Sequence, residues 1–353
     1  MKLNRILSVF LASLLLFFYA GCSSYLLDLQ NAMDDEGQET SSEVRSPTPV
    51  ANPLIGPVTL ANLEQVVASL TQNSTIVMTG QVTPSDLSII RTALNSANYY
   101  INLDLSNVTG LDSVPNSIFS GITRLSGITL PDSVTSIGDN AFNRCNSLTS
   151  INIPESVTSI GESAFVYCDG LTSVNISANG VSIGGTAFFY CTSLTTVNIT
   201  GSVTSIEDFA FCGCLSLTSF NIPESVTSIG EKAFFDCPQL AEINVDFENT
   251  NYSSLDGVLF NKNKTQLIYY PRGKTGILYS IPGSVTSIGA DAFYSCSNLT
   301  SVTFSDTSTW YITTSETNWI NKTGGLMVTI ANLSADYIIS FLRANSSAYW
   351  YKL

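Results

Sequence analysis

The feature that most constrains this chain is a unit of 23 residues that recurs along more than half of its length. Five successive copies begin at Pro131, Pro154, Ser177, Thr200 and Pro223, each start lying 23 residues after the last. The first copy reads PDSVTSIGDNAFNRCNSLTSINI, a late copy begins at position 282, and a diverged copy begins at position 108. Self-similarity at a fixed period of this length is typical of solenoids, in which each unit contacts only its neighbours.

Within each copy the apolar residues recur at fixed positions, which predicts one coil of a solenoid per copy. In the first copy Ile151 and Ile153 alternate with Ser150 and Asn152, as expected of a half-buried strand. The segment 139–145 fits one or two helical turns with its alanine, phenylalanine and cysteine facing inward. Stacked coils would place parallel strands about 4.8 Å apart and bury these faces together. The sequence therefore predicts an α/β-type solenoid of parallel strands and short helical turns.

The segments that flank the repeats 108–304 predict a small α+β cap at each end, because terminal coils would otherwise expose apolar faces. Residues 305–353 are rich in aromatic side chains and predict a closing module around 335–343. Residues 58–107 predict the N-terminal cap. Its expected helices are 60–70 and 84–97, and its expected strands are 75–78 and 99–105.

A longer unit, residues 246–281, interrupts the regular spacing before the last copy. It contains two apolar segments, VLF and LIYY, on either side of the polar segment NKNKT. Apolar runs that flank a short polar segment are typical of a β-hairpin. We therefore expect a hairpin within this long unit.

Residues 1–21 are typical of an export signal. Two basic residues precede the apolar run 6–18, which is too short to cross a hydrocarbon core of roughly 30 Å as a helix. The next residues are Tyr-Ala-Gly-Cys, which resemble the lipobox of bacterial lipoproteins except for tyrosine in place of leucine. That resemblance implies cleavage before Cys22 and its acylation. The alternative is an ordinary signal that is cleaved near Ala20.

Residues 22–57 are predicted to form a disordered tether between the lipid and the folded domain. This segment contains DDEGQETSSEVRSPTP and is too polar and too acidic to bury a core. A random coil of this length spans about 30–35 Å, which would hold the domain away from a membrane.

The composition excludes several classes of function. The 353 residues include no histidine, which removes Ser-His-Asp and Cys-His catalysis and all His-ligated metal sites. Lys and Arg number 14 against 28 Asp and Glu, a net charge of −14, whereas a nucleic-acid-binding surface needs clustered cations. We therefore expect no enzymatic activity, no cofactor, no metal site and no nucleic-acid partner.

Six cysteines form a column with one thiol per coil. A spacing of 23 residues differs from the close pairs that bind zinc. Two interpretations stay open: buried apolar packing, or disulfides between coils, since a coil spacing of about 4.8 Å lies within the range of bridged Cα atoms. Cys212, at a position held elsewhere by larger side chains, is the candidate for a separate bond or adduct. The column comprises Cys145, Cys168, Cys191, Cys214, Cys237 and Cys296.

Two further columns place polar residues on the outer face of the main strands. One interpretation is a surface that binds a protein or a glycan. The other is a solvated sheet whose side-chain amides hydrogen-bond along the stack. In that case specific recognition would lie where the repeats break their pattern, at 246–281 and in the C-terminal aromatic segment. The candidate binding residues are Ser150, Asn152, Ser173, Asn175, Thr196, Asn198, Ser219, Asn221, Glu242 and Asn244.

The repeat LPxSVTSIGxxAFxxCxSLTSIxI resembles the BspA-like leucine-rich repeats, a class of bacterial surface proteins. The resemblance covers 108–304 and implies a leucine-rich repeat stack, in which Gly180 and Glu207 depart from the pattern and should distort one coil locally. It further implies a lipid-anchored adhesin of the bacterial envelope, held at the outer membrane or cell surface. Its partners would be host extracellular-matrix or plasma proteins, or other bacteria. The alternative is a non-adhesive structural or periplasmic lipoprotein.

Overall fold

The computed structural model describes residues 52–304, 309–313, 326–329, 342 and 348–352. The predicted signal peptide, Cys22 and the tether as far as residue 51 lie outside the described residues. So does the predicted module at 335–343, apart from the buried Leu342. The described chain is a stack of coils built mainly from short parallel strands and turns, which confirms the predicted solenoid.

Two helices and three strands form the N-terminal end of the stack. They are β1 (Leu54–Val58), α1 (Leu63–Ala68), β2 (Ser74–Gln81), α2 (Leu87–Asn95) and β3 (Ile101–Thr109). A 3-10 turn at Pro84–Asp86 leads into α2, where Thr83 donates its hydroxyl and its N–H to Asp86 Oδ2 at 2.6 and 2.8 Å. These two bonds hold the pKa of Asp86 below its usual value. Both predicted helices and both predicted strands are present with shifted ends.

The tether ends earlier than the sequence predicts. Leu54 and Ile55 pair in parallel with β2, and Ile55 packs against the core. The prediction that all of 22–57 is disordered is therefore wrong for residues 54–57. The sequence does not predict this five-residue strand because it contains a glycine and a proline, which are both depleted in strands.

Each repeat contributes two strands to the stack. They are β4 (Ser113–Val114), β5 (Leu125–Thr129), β6 (Ser136–Ile137), β7 (Ser150–Ile153), β8 (Ser159–Ile160), β9 (Ser173–Ile176), β10 (Asn179–Ile183), β11 (Thr196–Ile199), β12 (Ser202–Ile206), β13 (Ser219–Ile222), β14 (Ser228–Ile229) and β15 (Glu242–Val245). One parallel ladder runs β1–β2–β3–β5–β7–β9–β11, and a second runs β4–β6–β8–β10–β12–β14. Strand β13 pairs with β15 in a separate ladder. Asn152 pairs with Asn175 and Ile153 with Ile176, so the register equals the sequence period.

The segment between the two strands of a coil consists of β-turns, not the predicted helical turns. Within 139–145, Asn140 and Arg144 have φ of 54° and 59°, which a right-handed helix does not contain. Their N–H groups donate to the next coil, to Glu162 O at 2.9 Å and to Val166 O at 2.8 Å. The amides of this segment therefore bind a neighbouring coil instead of the carbonyl four residues back. The alanine, phenylalanine and cysteine face inward as predicted.

Gly180 and Glu207 change one coil locally, as the sequence predicts. Gly180 has φ of 75°, and the register of β10 against β12 shifts beside it. The Glu207 carboxylate accepts the Gly185 N–H at 3.1 Å and the Ser182 hydroxyl at 3.2 Å. The glutamate thus adds side-chain hydrogen bonds while its backbone keeps the turn of the other copies, in which Ala210 N–H donates to Glu207 O at 3.3 Å, and the second ladder continues through this coil.

One phenylalanine per coil stacks along the axis of the core. The ring centroids of Phe142 and Phe165 lie 5.1 Å apart and those of Phe188 and Phe211 lie 5.2 Å apart, with interplanar angles of 4° and 5°. All four rings are buried. The stacking distance is close to the spacing of the strands, so core and ladders repeat with the same step.

The thiol column bonds each coil to the preceding one. Each Sγ donates to a carbonyl oxygen 26 residues earlier: Cys145 to Phe119 O at 3.0 Å, Cys168 to Phe142 O at 3.1 Å, Cys191 to Phe165 O at 3.1 Å, Cys214 to Phe188 O at 3.3 Å, Cys237 to Phe211 O at 3.2 Å and Cys296 to Tyr270 O at 3.5 Å. No disulfide joins the seven cysteines of the described chain, and Cys212 is also buried. Burial raises the pKa of Cys145 and of Cys237 to about 12. The structure therefore supports the packing interpretation of the column over disulfides between coils.

The long unit and the C-terminal segment complete the described fold. Their strands are β16 (Tyr252–Leu255), β17 (Val258–Asn261), β18 (Gln266–Tyr269), β19 (Leu278–Ile281), β20 (Ser287–Ile288), β21 (Ser301–Phe304), β22 (Thr309–Thr313), β23 (Leu326–Thr329) and β24 (Tyr349–Lys352). The predicted hairpin is present as antiparallel β17 and β18, and β16 adds a third strand to it. Near the C-terminus, Trp310 and Trp350 are buried where β22 and β24 pair.

We expect the thiol hydrogen bonds to contribute measurably to stability. Replacing Cys191 by alanine removes the donor to Phe165 O and leaves a small cavity, which should lower the free energy of unfolding by about 1–3 kcal/mol. Cys191→Ser keeps a donor and should recover part of this loss. Thermal and urea unfolding of both variants measure the difference. Equal midpoints for the wild type and Cys191→Ala would show that the bond contributes nothing.

Candidate binding surface

The ten predicted residues all lie on the outer side of the main strands. In the first three coils Ser150, Ser173 and Thr196 are directly paired. Asn152, Asn175 and Asn198 form the neighbouring column in the same way. The inward residues between them are the apolar ones, because successive side chains of a strand point to opposite faces. We call the outer side of β7, β9, β11, β13 and β15 the strand face.

The strand face is divided between β11 and β13. The first ladder ends at β11, and Ser219, Asn221, Glu242 and Asn244 lie on the separate pair β13–β15. Beside the division, the inward-pointing side chains of β11 are partly exposed. The sequence predicts a continuous surface, whereas the structure gives six of the ten residues to one ladder and four to another.

Phe220 lies beside this division, on β13. It occupies the inward column that holds Val197 and Ile243 in the neighbouring coils, and its ring lies 5.0 Å from Phe211 and 4.8 Å from Phe234. The two rings it contacts are 5.9 Å apart, compared with 5.1–5.3 Å for the earlier stacked pairs. The wider spacing lies between the coils of β13 and β15, which stay paired, and a larger side chain in a close-packed column accounts for it. Across the division itself Phe188 and Phe211 keep a stacking distance of 5.2 Å, so the core continues where the strands do not pair.

Side-chain hydrogen bonds run along the stack beside these columns. Asn175 Nδ2 donates to Asn152 Oδ1 at 2.7 Å, so the predicted amide ladder is present between β7 and β9. At the starts of β9 and β11 a threonine hydroxyl donates to a carbonyl of the preceding coil, Thr172 Oγ1 to Thr149 O at 2.9 Å and Thr195 Oγ1 to Thr172 O at 3.0 Å. These residues stabilise the repetition whether or not a partner binds.

The chemistry of the strand face is polar and nearly neutral. Glu242 is the one ionisable residue among the ten candidates. Within the described ranges no group of three or more Cys, Asp or Glu side chains is arranged to hold a metal ion. The described helices are also too short or too polar to cross a bilayer. The arrangement suits contact with another polar macromolecular surface.

The pattern-breaking long unit exposes large apolar residues that the sequence reasoning did not single out. Phe247 is 84% exposed, Ile277 67% and Leu278 61%. Leu278 pairs with Ser301 and therefore stands in the serine column of the strand face. Aligning the long unit with the polar columns would have found Leu278, because a leucine there cannot face the core.

The fold and the strand face together define a class of protein. A stack of 23-residue coils, each with an inward leucine and one strand of a parallel ladder, is a leucine-rich repeat protein. The family model of the BspA-type leucine-rich repeat region matches residues 92–214, 158–281 and 278–324 in six copies. The chain belongs to this family. Leucine-rich repeat proteins generally bind other proteins and are typically not enzymes.

Several solved structures are similar to this chain. The pneumococcal vaccine antigen PcpA is 23% identical, with 65% of this chain and 51% of the antigen covered and a TM-score of 0.44. A leucine-rich cell surface protein of Faecalibacterium prausnitzii A2-165 is 33% identical, with 55% and 59% covered and a TM-score of 0.43. A leucine-rich repeat protein of T. pallidum is 25% identical, with 58% and 69% covered and a TM-score of 0.29. The chain spans little more than half of the first two proteins. No curated protein matches it.

We expect Phe220→Val to close the division between β11 and β13. A side chain of the size that the neighbouring copies carry in this column should allow the two strands to pair, so the backbone amides of β13 should exchange with deuterium more slowly. The cavity should still lower the free energy of unfolding by about 1–4 kcal/mol. Phe211→Val is the matched control, which loses the same volume from the core without freeing the strand column. Unchanged exchange in β13 of Phe220→Val would mean that another feature separates the strands.

Proposed function

We propose that this protein is an exported adhesin, anchored through a lipid on Cys22 and displayed at the bacterial cell surface. Its strand face binds a host extracellular-matrix or plasma protein, or the surface of another bacterium. In this proposal residues 1–21 are the signal peptide, and the tether as far as residue 53 separates the lipid from the folded part. The N-terminal cap, the repeats and the C-terminal segment then form one display scaffold without catalytic activity.

The observation that carries the proposal is the geometry of the strand face. Short outward side chains repeat at each strand, and Asn152 and Asn175 are joined by a side-chain hydrogen bond between coils. A surface whose side chains are already fixed loses little conformational entropy when it binds. Its near neutrality also favours contact with protein surfaces of mixed polarity. Family membership supports protein binding in general, and adhesion is the narrower proposal.

The lipid anchor is proposed from the sequence around Cys22. A basic start, a short apolar run and Tyr-Ala-Gly-Cys resemble the leader of a bacterial lipoprotein. Two or three acyl chains on one residue anchor a protein far more durably than a single chain. The acidic, Ser-rich segment that follows would extend the folded part away from the headgroups.

Binding through the strand face predicts a loss of adhesion when the face is altered. We expect Asn198→Arg to weaken the binding of whole cells to a panel of purified matrix and plasma proteins and to a second bacterial species, by about tenfold or more. Ser159→Arg is the matched control, because it places the same side chain at an exposed position of the second ladder. The affinities are measured by surface plasmon resonance with the full-length protein.

Digestion of intact cells by proteinase K separates adhesion from the alternative. Complete protection of the protein would favour a structural or periplasmic lipoprotein. Exposure without binding to any member of the panel would also contradict the adhesin proposal.

Acylation of Cys22 predicts that Cys22→Ala moves the protein from the detergent phase to the aqueous phase in Triton X-114 partitioning. Labelling with a palmitate analogue should be lost at the same time. Cys212→Ala is the control, because its thiol is buried in the fold and should not affect partitioning. A Cys22→Ala protein that still enters the detergent phase would disprove the lipid anchor.

A further inference from the structure

Phe247 is the most exposed large apolar side chain of the described residues, with 84% of its surface accessible. It follows β15 and lies one period of 23 residues after Glu224, in a column that holds Asp132 and Glu155 in earlier coils. The column also holds Ala178 and Gly201, so three of its five earlier members are carboxylates, and it changes to phenylalanine at the second position of the long unit. We call residues 246–251 the Phe247 loop.

The Phe247 loop is fixed to its surroundings by hydrogen bonds of a buried side chain. The Asn249 side chain is buried, and its Nδ2 donates to Pro223 O at 2.8 Å and Val226 O at 2.9 Å. Its Oδ1 accepts the N–H groups of Asn251 and Tyr252 at 2.9 and 2.7 Å. This one amide fixes the loop to the preceding coil and to β16. All four of its hydrogen-bonding positions are used.

Lys262 fixes the backbone at the phenylalanine itself. Its Nζ donates to Phe247 O at 3.0 Å and also to Asn249 O. The Asp246 carboxylate accepts the Glu248 N–H at 2.9 Å on the other side. The ring is therefore presented to solvent on a rigid support. Aromatic side chains presented in this way dominate the binding energy of many protein interfaces, because little ordering is required when they bind.

Three carboxylates lie near Phe247, on its two chain neighbours and on the preceding coil, beside the Lys262 ammonium that binds its carbonyl oxygen. Asp246 and Glu248 flank Phe247 in the chain, and the Glu248 carboxyl shares a hydrogen bond with Glu224 of the preceding coil. That bond, followed by the charge of Glu248, raises the pKa of Glu224. Two carboxyl groups in contact repel each other when both are ionised, and a cation from a partner would relieve the repulsion.

We propose that Phe247, together with Asp246, Glu248 and Glu224, is an anchor for a protein partner that presents basic residues around an apolar recess. The ring enters the recess, and the carboxylates pair with Lys or Arg at its edge. The inference rests on the proposed protein-binding function and assigns a specific site to it, at one end of the strand face.

The charge of the site favours this partner over other occupants. A second copy of a chain of net charge −14 would bring like charges together around the same ring. An anionic membrane would be repelled for the same reason. The carboxylates of the site do not form a group that could hold a metal ion, as is true throughout the described chain. A cationic protein surface satisfies both the ring and the acids.

The test uses the full-length protein and two short synthetic peptides. In the first, basic residues (Lys or Arg) alternate with apolar residues (Leu or Phe). In the second, the charge-reversed peptide, Glu replaces the basic residues. Fluorescence anisotropy near physiological ionic strength measures both affinities. We expect the basic peptide to bind and the charge-reversed peptide not to bind. Phe247→Ala should weaken the binding of the basic peptide by about tenfold to thirtyfold. Glu224→Gln with Glu248→Gln should weaken binding and reduce its salt dependence.

Matched variants make these losses specific. Leu54→Ala removes another highly exposed apolar side chain. Asp132→Asn with Glu155→Gln removes two carboxylates from the column that contains Glu224 and Phe247. Neither variant should change the affinity for the basic peptide. Equal losses in the control variants, or an unchanged affinity in Phe247→Ala, would overturn the proposal. So would Phe247-dependent binding to phosphatidylglycerol vesicles without binding of the peptide. If Phe247→Ala binds the protein panel as the wild type does while Asn198→Arg does not, the adhesin function stands and this site fails.

Discussion

The structure depends on hydrogen bonds that each coil makes to its neighbours. A coil of 23 residues is too short to satisfy its own backbone, so its amides donate to carbonyls of adjacent coils in both strand ladders and in the turns. The positive φ of Asn140 and Arg144 turns their N–H groups towards the next coil, where Glu162 and Val166 accept them. Because these bonds recur at fixed offsets along the chain, the same backbone conformations must recur at each step. The sequence repeat is the record of this constraint.

The identities of several columns follow from the acceptors that the backbone leaves open. The turn of each coil leaves one buried carbonyl, such as Phe165 O, facing the next coil, and the Cys191 thiol is a donor small and apolar enough to reach it. Threonine serves the exposed carbonyls at the strand starts, as at Thr172. A hydroxyl can be solvated there, whereas a thiol costs less to bury. Residues conserved between copies therefore maintain the stack, and differences between copies are free to carry recognition.

The repeat period allowed the strands, their register and the inward residues to be predicted from the sequence. Ile151 and Ile153 face inward, while Ser150 and Asn152 face outward, as the alternation indicates. The helical turns were wrong because an inward pair three residues apart, Phe142 and Cys145, fits a helical face and also a run of β-turns. The residues with positive φ gave no warning, since Tyr167 and Thr186 occupy such positions without being Gly or Asn. Their conformation is imposed by the bonds to the next coil.

The division of the strand face changes the surface without changing the fold. Phe220, the largest side chain of its inward column among the 23-residue copies, lies beside the division and packs against Phe211 and Phe234. The second ladder stays paired from β10 to β12 across the same coils, so the division is confined to the strand side. The β13–β15 pair is consequently bounded by the division on one side and by the long unit on the other. The division and the long unit thus bound a short segment of surface, β13–β15, and the Phe247 loop begins where β15 ends.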